Sequence, residues 1–172
     1  MELLPLFLKL AGRRVLVVGD EDVIAPKRDA LVRAGAEVRQ RRPETFVDDD
    51  LDGVWLVVAA GPAEINARIA ALAEARHIFV NAVDDPPNAS AYLGGVVRRD
   101  GVTIAISTEG AAPALAGLLR EGLDALLPAD LDRWTAVSLD ARRDWKARGV
   151  PMADRRPLLL EALNAIYSEA QS

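Results

Sequence analysis

Cysteine is absent from this chain of 172 residues, and histidine occurs once. Without cysteine there is no disulfide framework, no iron–sulfur ligation and no thiolate nucleophile, and a single histidine argues against a His-rich zinc site. No run approaches the roughly 20 apolar residues needed to cross a bilayer. Basic residues are the minority, 21 Lys+Arg against 26 Asp+Glu for a net charge of −5, which argues against nucleic acid as a main partner. What is present, 51% hydrophobic and 27% charged residues, suits a packed protein with one nucleotide-binding-sized domain and a smaller appendage. The apolar opening, Met1 to Leu10, does not read as a signal peptide, because Glu2 leads, Pro5 interrupts and Gly12-Arg13-Arg14 introduces a strand-like run. It is expected to pack on the domain edge, and the protein is expected in the cytoplasm.

Val15-Leu16-Val17-Val18 reads as a strand buried on both faces, bounded by Arg13-Arg14 and Gly19. A helix follows, with Asp22 as its expected N-cap, Pro26 tolerated near the first turn, and Gly35 stopping it after Ala34. Glu37 to Gln40 suits a second strand, and the acidic run Asp48-Asp49-Asp50 a solvated loop. Val54 to Ala60 is the clearest buried strand, followed by a helix from Ala63 to Ala75 and a strand at Ile78 to Val80. Strands alternating with helices at this spacing predict a parallel sheet with right-handed crossovers. After Asp84 the rhythm changes. Asp100-Gly101 between two β-rich runs predicts a hairpin, leucines at three- and four-residue steps from Pro113 predict a helix closed by Pro128, and two further helices break at Gly149-Val150-Pro151.

In a parallel sheet, ligands bind beyond the carboxyl ends of the strands. Gly19 is placed to open a dinucleotide loop, but Asp20, Glu21 and Asp22 follow where further glycines would let the backbone approach a diphosphate. One poorly screened carboxylate there costs up to about three decades in affinity, and the turn reads equally as a degenerate loop with a solvated acidic surface. Asp84 at a carboxyl edge is a candidate general acid/base, against a capping role. Asp85 reads as a turn former and His77 as a surface residue. Ser107-Thr108-Glu109-Gly110 before a helix suits anion binding or capping.

Leu4-Pro5-Leu6-Phe7-Leu8-Lys9-Leu10, Arg14 to Gly19 and Ala34-Gly35-Ala36 resemble the opening of the precorrin-2 dehydrogenase family, the dehydrogenase/ferrochelatase module of siroheme synthase. Val80-Asn81-Ala82-Val83-Asp84-Asp85 resembles that family's Asn-Val-Val-Asp segment. Ala105 to Ala116 with Leu118-Leu119-Arg120-Glu121 closely resembles its Ser-Ser/Thr-x-Gly segment. The resemblance implies an α/β fold: a Rossmann-like NAD-binding domain at 1–88, a hairpin-and-helix dimerisation region at 89–127 and a helical C-terminal domain at 128–172. It implies a homodimer, NAD as acceptor of a hydride from precorrin-2 to give sirohydrochlorin, and in some members ferrous iron as a second substrate. No resident metal is implied. Carried over residue by residue, Asp84 is catalytic. Gly19, Asp22, Val23, Pro43 and Glu44 meet the cofactor, and Asn81, Ser107, Thr108 and Arg120 meet the tetrapyrrole.

The chain departs from the family pattern where NAD would lie. Gly-Gly-Gly is Gly19-Asp20-Glu21, Arg-Lys is Pro26-Lys27, and Thr-Asp is Ala60-Gly61. The alternative to the dehydrogenase is therefore a non-redox tetrapyrrole-binding or chelatase module with a degenerate loop. Arg39, Arg41 and Arg42 leave NAD and NADP open.

Overall fold

Four branched apolar residues in succession, Val15 to Val18, are fully buried because the strand that carries them has a helix against each face. The computed structural model describes residues 3–169. Two compact units divide the chain: one takes the residues through Leu93 together with Ser107–Ala112, the other Gly94–Ile106 together with the residues from Pro113 onward.

The first unit is a parallel sheet of β1 (Arg14–Gly19), β2 (Glu37–Arg41), β3 (Val54–Ala60) and β4 (Phe79–Ala82), in the order β2-β1-β3-β4. Helix α1 (Glu21–Arg33) joins β1 to β2, and α2 (Ala63–Glu74) joins β3 to β4. Alternation along the strands sorts the core into two layers. Leu16, Val18, Val57, Ala59, Val80 and Ala82 meet Ile69 and Ala73 of α2, while Val15, Val17, Leu56 and Val58 meet Ile24 and Leu31 of α1. The chain leaves β1 toward β2 and returns past it to β3, so the strand order reverses between β1 and β3. There Gly19 and Ala60 are register partners at the carboxyl ends.

Several expectations from sequence are corrected. Helix α1 begins two residues earlier than expected, with Asp20 rather than Asp22 as N-cap and no side-chain cap. Pro26 therefore stands in the second turn, where its missing N–H leaves the Asp22 carbonyl without its helical partner. The acidic run is not a solvated loop throughout: Asp48–Leu51 forms a 3-10 turn, and Asp50 is 2% exposed. Its carboxylate accepts from Arg41 Nε at 3.0 and 3.1 Å and from the Val47 N–H at 3.2 Å, and pairs with Arg39 at 2.9 Å. The opening segment is packed only at its end, for Leu10 is buried while residues 3–9 are exposed. Residues 1 and 2 lie outside the described part.

The second unit begins with the antiparallel hairpin β5 (Gly95–Arg99) and β6 (Val102–Ile106). Asp100 (φ 47°) and Gly101 (φ 82°) make its turn, both in the left-handed region a two-residue connection needs. Helix α3 (Pro113–Leu126) packs on the hairpin, and Arg99 ties the two by donating to the Leu127 and Asp124 carbonyls at 3.1 and 3.0 Å. Helices α4 (Leu131–Ala147) and α5 (Met152–Glu169) follow on either side of Gly149-Val150-Pro151 and pair with each other.

Candidate functional site

The turn after β1 is shaped by a lack of space. A Cβ on Gly19 would lie 2.6 Å from Ile24 Cγ2 and 3.0 Å from the Ala60 Cβ and carbonyl oxygen, so only glycine lets α1 start this close to the sheet. The Asp20 carbonyl accepts the N–H groups of Val23 and Ile24 at 3.0 and 3.1 Å. The N–H groups of Glu21 and Asp22 precede that ladder and stand outside it. Asp22 and Val23 are exposed on this first turn.

Glu21 is not an unpartnered carboxylate beside the turn. Its carboxylate is ion-paired with Arg28, and its second oxygen accepts from Gln40 Nε2 of β2 at 2.9 Å. The hydrogen bonds from Gln40 and then Arg28 hold it below the ordinary glutamate pKa. The repulsion expected from sequence is thus reduced at Glu21, while Asp20 and Asp22 have no ion pair among the described residues.

Beyond β2 the chain enters a 3-10 turn, Pro43–Thr45, with Pro43 half-buried and Glu44 exposed. A Cβ on Gly61 would touch the Pro43 ring at 3.3 Å, which brings the connections after β2 and β3 together. Of the three arginines of this region, Arg39 and Arg41 are engaged by Asp50, and Arg42 is exposed.

A polar network joins the ends of β3 and β4. The Gly61 N–H donates to Asn66 Oδ1 at 3.1 Å, and Asn66 Nδ2 donates to Asp85 Oδ2 at 3.2 Å. Asn88 Nδ2 donates to both Asp85 oxygens, at 3.0 and 2.9 Å. Asp85 is therefore the turn former that the sequence suggests, and it leaves the neighbouring Asp84 carboxyl exposed on a backbone held at φ 54°. Asn66 was missed in the sequence reading. Its signal was a polar residue three and seven positions before the buried Ile69 and Ala73, on the apolar stripe of α2.

Asn81, the penultimate residue of β4, is 6% exposed. Its amide donates to the Ala91 carbonyl at 3.0 Å, and its Oδ1 has no partner among the described residues. A buried acceptor without a donor carries a cost of about 1–3 kcal/mol, which a ligand donor would remove. Ser107 Oγ accepts the Glu109 N–H at 3.1 Å, and Thr108 Oγ1 accepts the Ala112 N–H at 3.3 Å. The capping role thus uses the oxygens and leaves both hydroxyl protons able to donate. This loop belongs to the first unit, and a Cβ on its Gly110 would lie 3.3 Å from Tyr92 and 3.5 Å from Pro86.

Asp84, Asn81, Ser107, Thr108, Gly19, Asp22, Val23, Pro43 and Glu44 all belong to this one unit, whereas Arg120 stands on α3 of the second unit and pairs with Glu121 at 3.1 Å. Among the described residues no three His, Cys, Asp or Glu side chains are grouped to hold a metal ion. The strand ends thus offer a glycine-lined turn with free N–H groups, a buried amide oxygen, two hydroxyls and one exposed carboxylate. That set can hold an anionic ligand and exchange a proton with a second one.

Comparison with known proteins places the chain in a family. Residues 6–95 match the family model described as "Putative NAD(P)-binding", and residues 99–126 match "Sirohaem biosynthesis protein central". Siroheme synthase of Sodalis glossinidius is 39% identical over 98% of this chain and 40% of its own length. Siroheme synthase 1 of Yersinia enterocolitica is 40% identical over 91% of this chain and 37% of its own. The chain thus spans about two fifths of the length of these relatives. Among solved structures, SirC, a precorrin-2 dehydrogenase, superposes with a TM-score of 0.65 at 21% identity, over 92% of this chain and 88% of that one, which shows the shared fold.

Proposed function

Since the chain belongs to the NAD(P)-binding family whose model spans residues 6–95, we propose that it is a precorrin-2 dehydrogenase of siroheme biosynthesis with NAD as its hydride acceptor. The observation that carries the reading is Asp84: an exposed carboxyl fixed in a left-handed turn at the carboxyl end of β4, beside a network that leaves it unengaged. The first unit also fits the cofactor. Gly19 leaves no side chain between α1 and the sheet, the N–H groups of Glu21 and Asp22 have no partner among the described residues and can meet a diphosphate, and Glu21 is held by Arg28 and Gln40. This favours the dehydrogenase over the non-redox alternative, whose support was the charge of the acidic turn.

Oxidation of precorrin-2 to sirohydrochlorin removes two electrons and two protons from the macrocycle. Bound NAD would supply a two-electron acceptor for the hydride. The second proton goes to the Asp84 carboxylate, which passes it to water from its exposed position. Gly19, Asp22 and Val23 hold one end of the cofactor, and Pro43 and Glu44 line the connection beside it. Asn81 Oδ1 accepts a donor of the tetrapyrrole, the hydroxyls of Ser107 and Thr108 donate to substrate carboxylates, and Arg120 is proposed as a cation that meets tetrapyrrole carboxylates. Ferrous iron is proposed as a second substrate, with Asp84 taking the pyrrole protons that the metal displaces.

The reading includes a homodimer in the cytoplasm. The exposed Leu115, Leu118, Leu119 and Leu126 on α3 are in keeping with coverage by a second copy, and no described helix is long and apolar enough to cross a membrane. The test is Asp84→Asn, assayed by NADH formation from precorrin-2 alongside calorimetric NAD binding. Turnover should fall by about a hundredfold or more with the NAD dissociation constant unchanged. Full turnover in the variant would remove Asp84 from the reaction.

A further inference from the structure

We infer that Glu21, held by Gln40 and Arg28, is the residue that selects NAD over NADP, by receiving the hydroxyls of the adenosine ribose. The inference rests on the dinucleotide reading of the β1–α1 turn. In a doubly wound sheet, an acidic residue at the end of the second strand usually accepts from the ribose 2′-OH, and that hydroxyl is where NADP carries its extra phosphate. Here β2 ends Arg39-Gln40-Arg41, with Arg42 following, and offers no acid of its own.

A carboxylate nevertheless stands over that strand end, delivered from the start of α1. Glu21 Oε2 is 2.9 Å from Gln40 Nε2, and Gln40 is the β2 register partner of Val17 in the central strand. Arg28, two turns further along the same face of α1, pairs with the other oxygen. These two contacts hold the side chain to Gln40 of β2 and to Arg28. They also fix its rotamer before any ligand arrives, and they keep it ionised. Each carboxylate oxygen has a second lone pair, and the side chain is 57% exposed, so the 2′- and 3′-hydroxyls can still be received. A 2′-phosphate has no proton to donate to a carboxylate that only accepts, so the contact the hydroxyls make would become a repulsion that Arg28, shared with Asp29, offsets only in part. The neighbouring cations are already engaged: Arg28 is shared by Glu21 and Asp29, and Arg39 and Arg41 pair with the buried Asp50, while Arg42 is exposed.

The test is calorimetric titration of the full chain with NAD and with NADP, which reads binding and needs no turnover. The wild type should prefer NAD. Glu21→Gln keeps the shape and the Gln40 contact but removes the charge, and the NADP/NAD ratio of dissociation constants should fall by about tenfold, the value of one charged hydrogen bond. In the double variant Glu21→Gln/Gln40→Glu the carboxylate returns to the same place from the β2 side, and the NAD preference should return with it. A ratio unchanged in Glu21→Gln would overturn the inference while leaving the cofactor reading intact. Equal tightening of both dinucleotides would also overturn it and make Glu21 a simple obstruction. A wild type that binds neither dinucleotide would overturn the cofactor reading, and the inference with it.

Discussion

Asn66 Nδ2 lies 3.2 Å from Asp85 Oδ2, and this contact ties the turn after β4 to the connection after β3. The other end of the same amide receives the Gly61 N–H. Two loops at the carboxyl end of the sheet are thus held by one side chain that is 2% exposed.

Replacing Asn66 by Leu keeps the volume but removes both bonds. Folding stability should drop by about 1–3 kcal/mol, since the Gly61 N–H loses its acceptor and Asp85 loses a donor. Urea unfolding measures this, and a variant as stable as the wild type would show that water replaces the amide freely.

Asp84 combines a left-handed backbone with an exposed side chain, so the backbone favours glycine while the proposed role needs the carboxylate. Asp84→Gly should stabilise the fold by up to about 1 kcal/mol, and Asp84→Ala should lose about that much. Both should lack dehydrogenase activity. Thermal unfolding of the pair gives the sign; a more stable Ala variant would mean the turn relaxes out of the left-handed region.

Gly19→Ala should destabilise by about 1–3 kcal/mol through the contact with Ile24. In an Ile24→Ala background that cost should shrink, because the nearest atom is gone. A double-mutant cycle by chemical denaturation reads the coupling, and additive effects would place the strain on the Ala60 backbone instead.

The Glu21 pKa should titrate below the ordinary glutamate value when followed by NMR of its side-chain carboxyl carbon, and move upward in Gln40→Leu. Because the folded-state value is the lower one, the associated stability is present above the unfolded-state pKa and is lost as pH falls through the folded one. The group is solvent-exposed, so the effect on unfolding should be small and should weaken with salt. An unmoved resonance in the Gln40 variant would leave Arg28 as the sole cause.

The sheet was legible because its signals are local. Val15 to Val18 and Val54 to Ala60 are runs that only a two-faced buried strand accommodates, and Asp100-Gly101 announces its own turn. What escaped the sequence depends on partners far along the chain. Asp50 reads as one of three solvated acids until Arg39 and Arg41, two residues apart on β2, turn their guanidinium groups toward it. Glu21 reads as a repulsive charge until Gln40, nineteen residues away, accepts it as a neighbour. Asn66 carried a readable hint in its place on an apolar stripe, but its partners Gly61 and Asp85 belong to two different loops. The N-cap was misread by two residues because Asp20 and Asp22 are both capping residue types, and neither position is decided by a side-chain bond.

The nucleotide-binding unit is discontinuous: the chain leaves it after Leu93, makes the hairpin, and returns for Ser107–Ala112, whose Gly110 sits against Tyr92 and Pro86. During synthesis, therefore, this unit is unfinished until the hairpin has left the ribosome, although all four of its strands are made long before. For anyone transplanting the module, a fragment cut at residue 95, where the family match ends, would carry a complete sheet with an open seam at Tyr92. The smallest portable piece ends beyond Ala112.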